Sequence, residues 1–193
     1  MNEFSFLMVP GLGGSSEEEW QRLWLRDVAD GKVVEQADWA HPEIEDWLAV
    51  LNRAIAACRK PVVLIAHSLG CALVAHWAAR SLGGQIEPPA ASVAAAMLVA
   101  PGDVDRDWPD FEVILQFAPM PLPQFAFPSI VVASTDDYFV TAERAQHFAG
   151  CWGGEYVSVG PMGHISADSG CGPWPQGMAI LTDFLRRQGL PRQ

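Results

Sequence analysis

The sequence predicts an α/β fold of about six mostly parallel strands with helices on both faces. Three observations predict it. Nearly continuous apolar runs of β type recur along the chain, helical patterns lie between most of them, and Ser68 stands among small residues at a strand-to-helix turn. Continuous apolar character is what strands covered on both faces require. Strands alternating with helices give a parallel sheet. The 193 residues, half of them apolar, suit one domain over 1–193 with room for a core.

The β-type runs are Phe4–Val9, Val33–Gln36, Pro61–Ala66, Val93–Val99, Ile130–Ala133 and Tyr156–Val159. Trp20, Leu23 and Trp24 begin a first helix, with Ser16 and Glu19 spaced as a capping box. Ile44, Trp47, Leu48, Leu51 and Ile55 form the stripe of a second. A third occupies the apolar stretch Leu69 to Ala79. The last, roughly Pro175 to Gln188, stops at Gly189 and Pro191. Pro101 to Pro128 breaks the alternation: four prolines interrupt it (Pro109, Pro119, Pro121, Pro123) among Trp108, Phe111, Phe117, Phe125 and Phe127. Its aromatics predict an ordered loop over the sheet edge that shapes a pocket.

The formal charge of −11 and pI of about 4.7 repel phosphate backbones and anionic bilayers, so neither nucleic acid nor a membrane is an expected partner. Met1 to Val9 reads as a strand rather than a signal peptide, and no apolar run reaches the roughly 20 residues of a membrane span. Cys58, Cys71, Cys151 and Cys171 form no C-x-x-C pair. They read as reduced thiols of a cytoplasmic protein, with no metal site. No motif fixes an oligomeric state.

Ala66-His67-Ser68-Leu69-Gly70 sits between an apolar strand and a helix, the setting of a nucleophile elbow. A serine hydroxyl needs an imidazole to take its proton, and the imidazole needs a carboxylate to fix its tautomer. Both follow in the expected order. Ser134-Thr135-Asp136-Asp137 succeeds the fifth strand and Gly160-Pro161-Met162-Gly163-His164 the sixth. Acid and base thus lie past the C-terminal strand ends, where α/β proteins bind ligands. Asp137 is the expected acid, with two residues between it and Val140, which enters a helix, and Asp136 a loop-stabilising carboxylate. The oxyanion donors are expected to be the N–H groups of Leu69 and Leu12, with Gly11 the alternative to Leu12 in a glycine-rich loop that permits close approach.

The other histidines carry bland expectations. His147 is solvated on a helix, His76 packs in the core beside Trp77, His41 lacks a partner, and His67 points away from the nucleophile. Gly11, Trp39 and Trp174 are the expected pocket residues, the two tryptophans because they adjoin loops rather than helix stripes. One rival reading takes Gly11-Leu12-Gly13-Gly14-Ser15-Ser16, with Glu35 ending the next strand, as a dinucleotide site. It lacks the third glycine and leaves Ser68, Asp137 and His164 unexplained.

These residues resemble the small serine hydrolases related to retinoblastoma-binding protein nine, in the α/β-hydrolase superfamily. The matches include Val9-Pro10-Gly11-Leu12-Gly13, Trp20 with Trp24, Asp38-Trp39, Asp46-Trp47 and Ala66-His67-Ser68-Leu69-Gly70-Cys71. Ser134-Thr135-Asp136-Asp137, Gly163-His164-Ile165-Ser166 and Ser169-Gly170-Cys171-Gly172-Pro173-Trp174-Pro175-Gln176-Gly177 follow, the last being the most specific. The resemblance implies a minimal α/β-hydrolase fold with no large cap and the triad Ser68, Asp137 and His164. Two departures stand out: Tyr138 where relatives carry Pro, and Glu19 where many carry His. A capping role is the expectation for Glu19. Retinoblastoma-protein binding does not carry over, since Leu69-Gly70-Cys71-Ala72-Leu73 lacks the glutamate of L-x-C-x-E.

The expected function is a serine hydrolase acting on a small-molecule ester or related acyl substrate without a cofactor. The alternative is a non-catalytic binding module on a hydrolase scaffold.

Overall fold

A computed structural model describes residues 3–86 and 93–190. Met1, Asn2 and the expected stop signal Pro191 lie outside the described residues. The strands are β1 (Ser5–Val9), β2 (Gly31–Val33), β3 (Val62–His67), β4 (Val93–Val99), β5 (Ser129–Ala133) and β6 (Glu155–Ser158). They form one sheet in the order β2-β1-β3-β4-β5-β6, and every neighbouring pair is parallel. The α-helices are α1 (Trp20–Trp24), α2 (Ile44–Ala56), α3 (Leu69–Leu82), α4 (Ala142–Trp152) and α5 (Pro175–Arg187).

Alternate strand residues feed two cores. Leu7, Val9, Leu64, Ala66, Leu98 and Val131 pack with α2, α3 and α4. Phe6, Met8, Ile65, Met97 and Val132 pack with Trp20, Trp24, Leu181 and Phe184 of α1 and α5. The expected architecture is therefore the observed one: six parallel strands, helices on both faces and, among the described residues, no large cap. No helix among them is long and apolar enough to cross a membrane.

Strand order reverses between β1 and β3, so the loops leaving these two strands open side by side at the sheet's C-terminal edge. A crevice at such a switch point is the usual α/β ligand site. Gly70 makes the close approach possible, because a Cβ there would stand 2.1 Å from the Val9 carbonyl oxygen.

Two elements differ from expectation. β2 covers Gly31–Val33 rather than Val33–Gln36. Val34 is buried against the α2 side, so its apolar character reflects packing and not ladder pairing. The capping box does not form: α1 begins at Trp20, and Glu19 makes no side-chain cap hydrogen bond. The segment 101–128 is ordered, as expected, and includes a 3₁₀ helix over Glu112–Phe117. Within it the Trp108 indole N–H donates to the Asp103 carbonyl at 2.7 Å, and the Met120 N–H donates to Asp105 at 2.8 Å. Arg144 of α4 pairs with Asp103 at 3.2 Å and with Asp105, fastening the loop to a helix.

Candidate active site

Ser68 joins β3 to α3 with φ 54° and ψ −122°, a backbone state that L side chains rarely adopt. Small neighbours leave space for it. Gly11 is buried beneath the turn, and a Cβ there would meet Ser68 Cβ and the Leu69 nitrogen at 2.9 Å. The turn aims the hydroxyl at the loop after β6. The Ser68 hydroxyl donates to His164 Nε2 at 2.8 Å, and His164 Nδ1–H donates to the two Asp137 oxygens at 2.9 and 3.0 Å. The Asp137 side chain is fully buried, and its Oδ1 also accepts the Phe139 N–H at 2.8 Å. A buried carboxylate facing Nδ1 fixes the tautomer that leaves Nε2 free to accept a proton.

Asp136 takes the loop-stabilising place expected of it. Its Oδ1 accepts the Ser134 hydroxyl at 2.7 Å and the Gly163 N–H at 2.8 Å, tying the acid loop to the histidine loop. These bonds hold its carboxyl below the usual range. Tryptophans anchor the histidine loop from below. The Trp20 indole donates to the Ile165 carbonyl at 2.9 Å and the Trp24 indole to Pro173 at 2.8 Å.

Leu69 and Leu12, whose N–H groups are the expected oxyanion donors, line the same cavity as Ser68. Leu69 is the first residue of α3, so its N–H has no intrahelical acceptor. The positive end of the helix dipole adds to it. Leu12 belongs to the loop after β1, shaped by a Gly14 N–H to Gly11 carbonyl bond at 3.1 Å. Leu12, Ser68, Leu69 and His164 all line one cavity of about 460 Å³. Val104, Trp108, Phe111 and Ile114, from the aromatic segment, close its apolar side.

Three expected pocket residues are not on that wall. Trp39 stands behind the Leu12 loop: its carbonyl accepts the Gly13 N–H at 2.9 Å, and its ring lies over Gly14 and against Trp47. Trp174 is buried in the opposite core, stacked on Trp24. Gly11 supports the elbow from beneath. Loop adjacency in sequence did not distinguish a wall from its backing.

The structure also brings in two residues that sequence reasoning misassigned. His67 does not point away. It lines the cavity, and its Nε2–H donates to the His164 carbonyl at 2.8 Å. Burial, helped by the His164 charge, pushes its pKa down to about 3, so it stays neutral. Glu19 does not cap. Its Oε1 accepts the Ala167 N–H at 3.0 Å, and burial raises its carboxyl above the ordinary range while that N–H opposes the rise. The remaining histidines lie away from Ser68. His76 bonds the Phe117 carbonyl at 2.8 Å rather than packing apolarly, and His41 does have a partner, Asp38, at 3.3 Å. His147 sits on α4 beside Cys151. Glu35, the acid of the dinucleotide reading, pairs with Arg22 at 2.8 Å.

A family model described as serine hydrolase matches residues 6–183. A structure described as a YdeN-like hydrolase from Pectobacterium atrosepticum is 31% identical, with a TM-score of 0.81, covering 98% of this chain and 94% of that one. The ydeN gene product of B. subtilis shares the fold at 20% identity and a TM-score of 0.74, covering 96% of this chain and 100% of that one. So does propionate-bound Est2, an esterase from Thermogutta terrifontis, at 16% identity and a TM-score of 0.73, covering 100% and 86%. No curated protein matches the chain significantly.

Proposed function

The chain belongs to the serine hydrolase family, and we propose that it hydrolyses a small ester or related acyl substrate through an acyl-enzyme on Ser68. His164 takes the Ser68 proton as the oxygen attacks the carbonyl carbon. The developing oxyanion accepts hydrogen bonds from the Leu12 and Leu69 N–H groups. Collapse breaks the bond to the departing group, which leaves with the proton from His164. A water then gives its proton to His164, attacks the acyl carbon and releases the acid. Asp137 keeps the imidazole in register and offsets its positive charge.

One observation carries this reading: hydroxyl, imidazole and buried carboxylate follow one another at 2.8 and 2.9 Å, and the hydroxyl and imidazole line a cavity sized for a small molecule. A cavity of this size suits a small acyl substrate. We read residues 1–193 as one catalytic domain. The kinship with relatives of retinoblastoma-binding protein nine is part of the same reading, resting on the Ser169 to Gly177 match. Fluorophosphonate labelling with mass identification of the modified residue tests the nucleophile. Labelling lost in Ser68→Ala supports it, and labelling that survives the substitution overturns it. Hydrolysis of p-nitrophenyl esters that depends on both Ser68 and His164 excludes a binding-only module.

A further inference from the structure

The two sides of the catalytic cavity differ in chemistry. One is apolar, from the segment 101–128. The other carries Glu19, Ser166, Asp168 and Ser169, and no Lys or Arg is among the described residues that line the cavity. Four carboxylates border the space, Glu19, Asp103, Asp136 and Asp168, and two are already engaged. Asp103 pairs with Arg144, and Asp136 accepts from Ser134 and Gly163. Glu19 uses one oxygen, on the Ala167 N–H, and Asp168 has no hydrogen-bond or ion-pair partner among the described residues. Glu19 is held there from a distance of 148 residues along the chain, so its place is built by the fold and not by its own helix.

The chemistry of the proposed reaction says what meets this wall. His164 must hand its proton to the departing atom, so the departing group lies against the loop that carries His164. That loop, with Glu19 bonded to it at Ala167, is the acidic side. We propose that Glu19, with Asp168 beside it, is a specificity-determining residue that makes the enzyme prefer acyl substrates whose departing group bears an ammonium charge. The inference rests on the serine hydrolase reading of the same cavity. A cation there exchanges water for two carboxylates that lack a basic partner, whereas an anion meets like charge at partly desolvated positions. An uncharged group of the same shape gains neither benefit nor penalty.

Three acetyl thioesters test it: those of thiocholine, of 3,3-dimethylbutanethiol (the uncharged isostere) and of 3-mercaptopropionate. In each, the carbon–sulfur bond breaks, the sulfur leaves with the His164 proton, and water later frees acetate from Ser68. The released thiol is read with a chromogenic disulfide. For the native enzyme, kcat/KM for the cation should exceed that for the isostere by at least about fivefold, with the anion slowest. Glu19→Gln keeps an acceptor for Ala167 but removes the charge. It should lower the ratio severalfold, mainly through KM, and the double variant with Asp168→Asn should bring it near one. Each ratio is taken within one enzyme, so a general loss of folded protein cancels. A native ratio near one, or a ratio that the double variant leaves intact, overturns the inference while Ser68-dependent cleavage still supports the reaction. Cleavage independent of Ser68 overturns the reaction and this inference with it.

Discussion

His67 donates its Nε2–H to the His164 carbonyl at 2.8 Å, so the residue before the serine holds the backbone of the base that faces the serine. The bond requires only a proton on Nε2, and burial keeps the ring neutral although the carbonyl favours the charged form. The sign of the pH effect follows. Unfolded chains take up a proton on this histidine near its ordinary value of 6.5, while the folded protein resists until about 3. Stability is therefore intact above 6.5 and lost as pH falls through that window, by about 2 kcal/mol at pH 5. Urea midpoints at pH 7.5 and pH 5 should show the drop in the native protein, and His67→Gln should flatten it. Parallel curves for the two proteins would contradict a buried, neutral His67.

The two adjacent aspartates should separate cleanly. Asp137→Asn presents an amide to His164 Nδ1 and favours the wrong tautomer, so kcat should fall by roughly 10³-fold or more with little loss of stability. Asp136→Ala removes the acceptor for Ser134 and Gly163. It should lower the melting temperature and cut kcat less than about tenfold, the scale of a lost hydrogen bond. Full activity in Asp137→Asn with loss in an Asp136→Asn variant would reverse the assignment.

Much of this molecule is legible in its sequence, because parallel strands and amphipathic helices write their burial into local patterns. Ser68, Asp137 and His164 were found from motif and order, since each sits in the first residues past a strand end. What the sequence concealed was which loops meet. Glu19 and Ala167 are joined across the fold, as are His67 and His164, and no local period encodes either pairing. Trp39 and Trp174 misled for the same reason: beside loops in sequence, they pack behind the site in space. The shift of β2 has another cause. Val34 is as apolar as a strand residue but is buried by α2, and hydropathy does not separate burial from pairing.

The Arg144 fork holds the loop that forms the apolar wall. It bridges Asp103 and Asp105 while its guanidinium lies 4.5 Å from the Phe148 ring centroid. Arg144→Lys keeps the charge but not the fork. The expected result is a KM raised about threefold for hexanoyl esters, with acetyl esters little changed, on the premise that the longer chain packs on the apolar wall of Val104 and Phe111. A series of p-nitrophenyl esters of graded length reads it. Equal changes at every length would mean that Arg144 acts on the fold at large.

Ser68 stores backbone strain that should be measurable as stability. At φ 54° its Cβ crowds the turn, and a non-glycine residue so placed costs on the order of 1–3 kcal/mol. Ser68→Ala keeps that strain and loses the hydrogen bond to His164. Ser68→Gly loses the same bond and relieves the strain, though the unfolded chain gains freedom worth about 0.4–1 kcal/mol. The balance favours glycine. Ser68→Gly should be inactive yet more stable than Ser68→Ala by about 1 kcal/mol in urea unfolding. If alanine proves the more stable of the two, the turn is relaxed at this position, and the exposure of the hydroxyl must be ascribed to the small neighbours Gly11 and Gly70 alone.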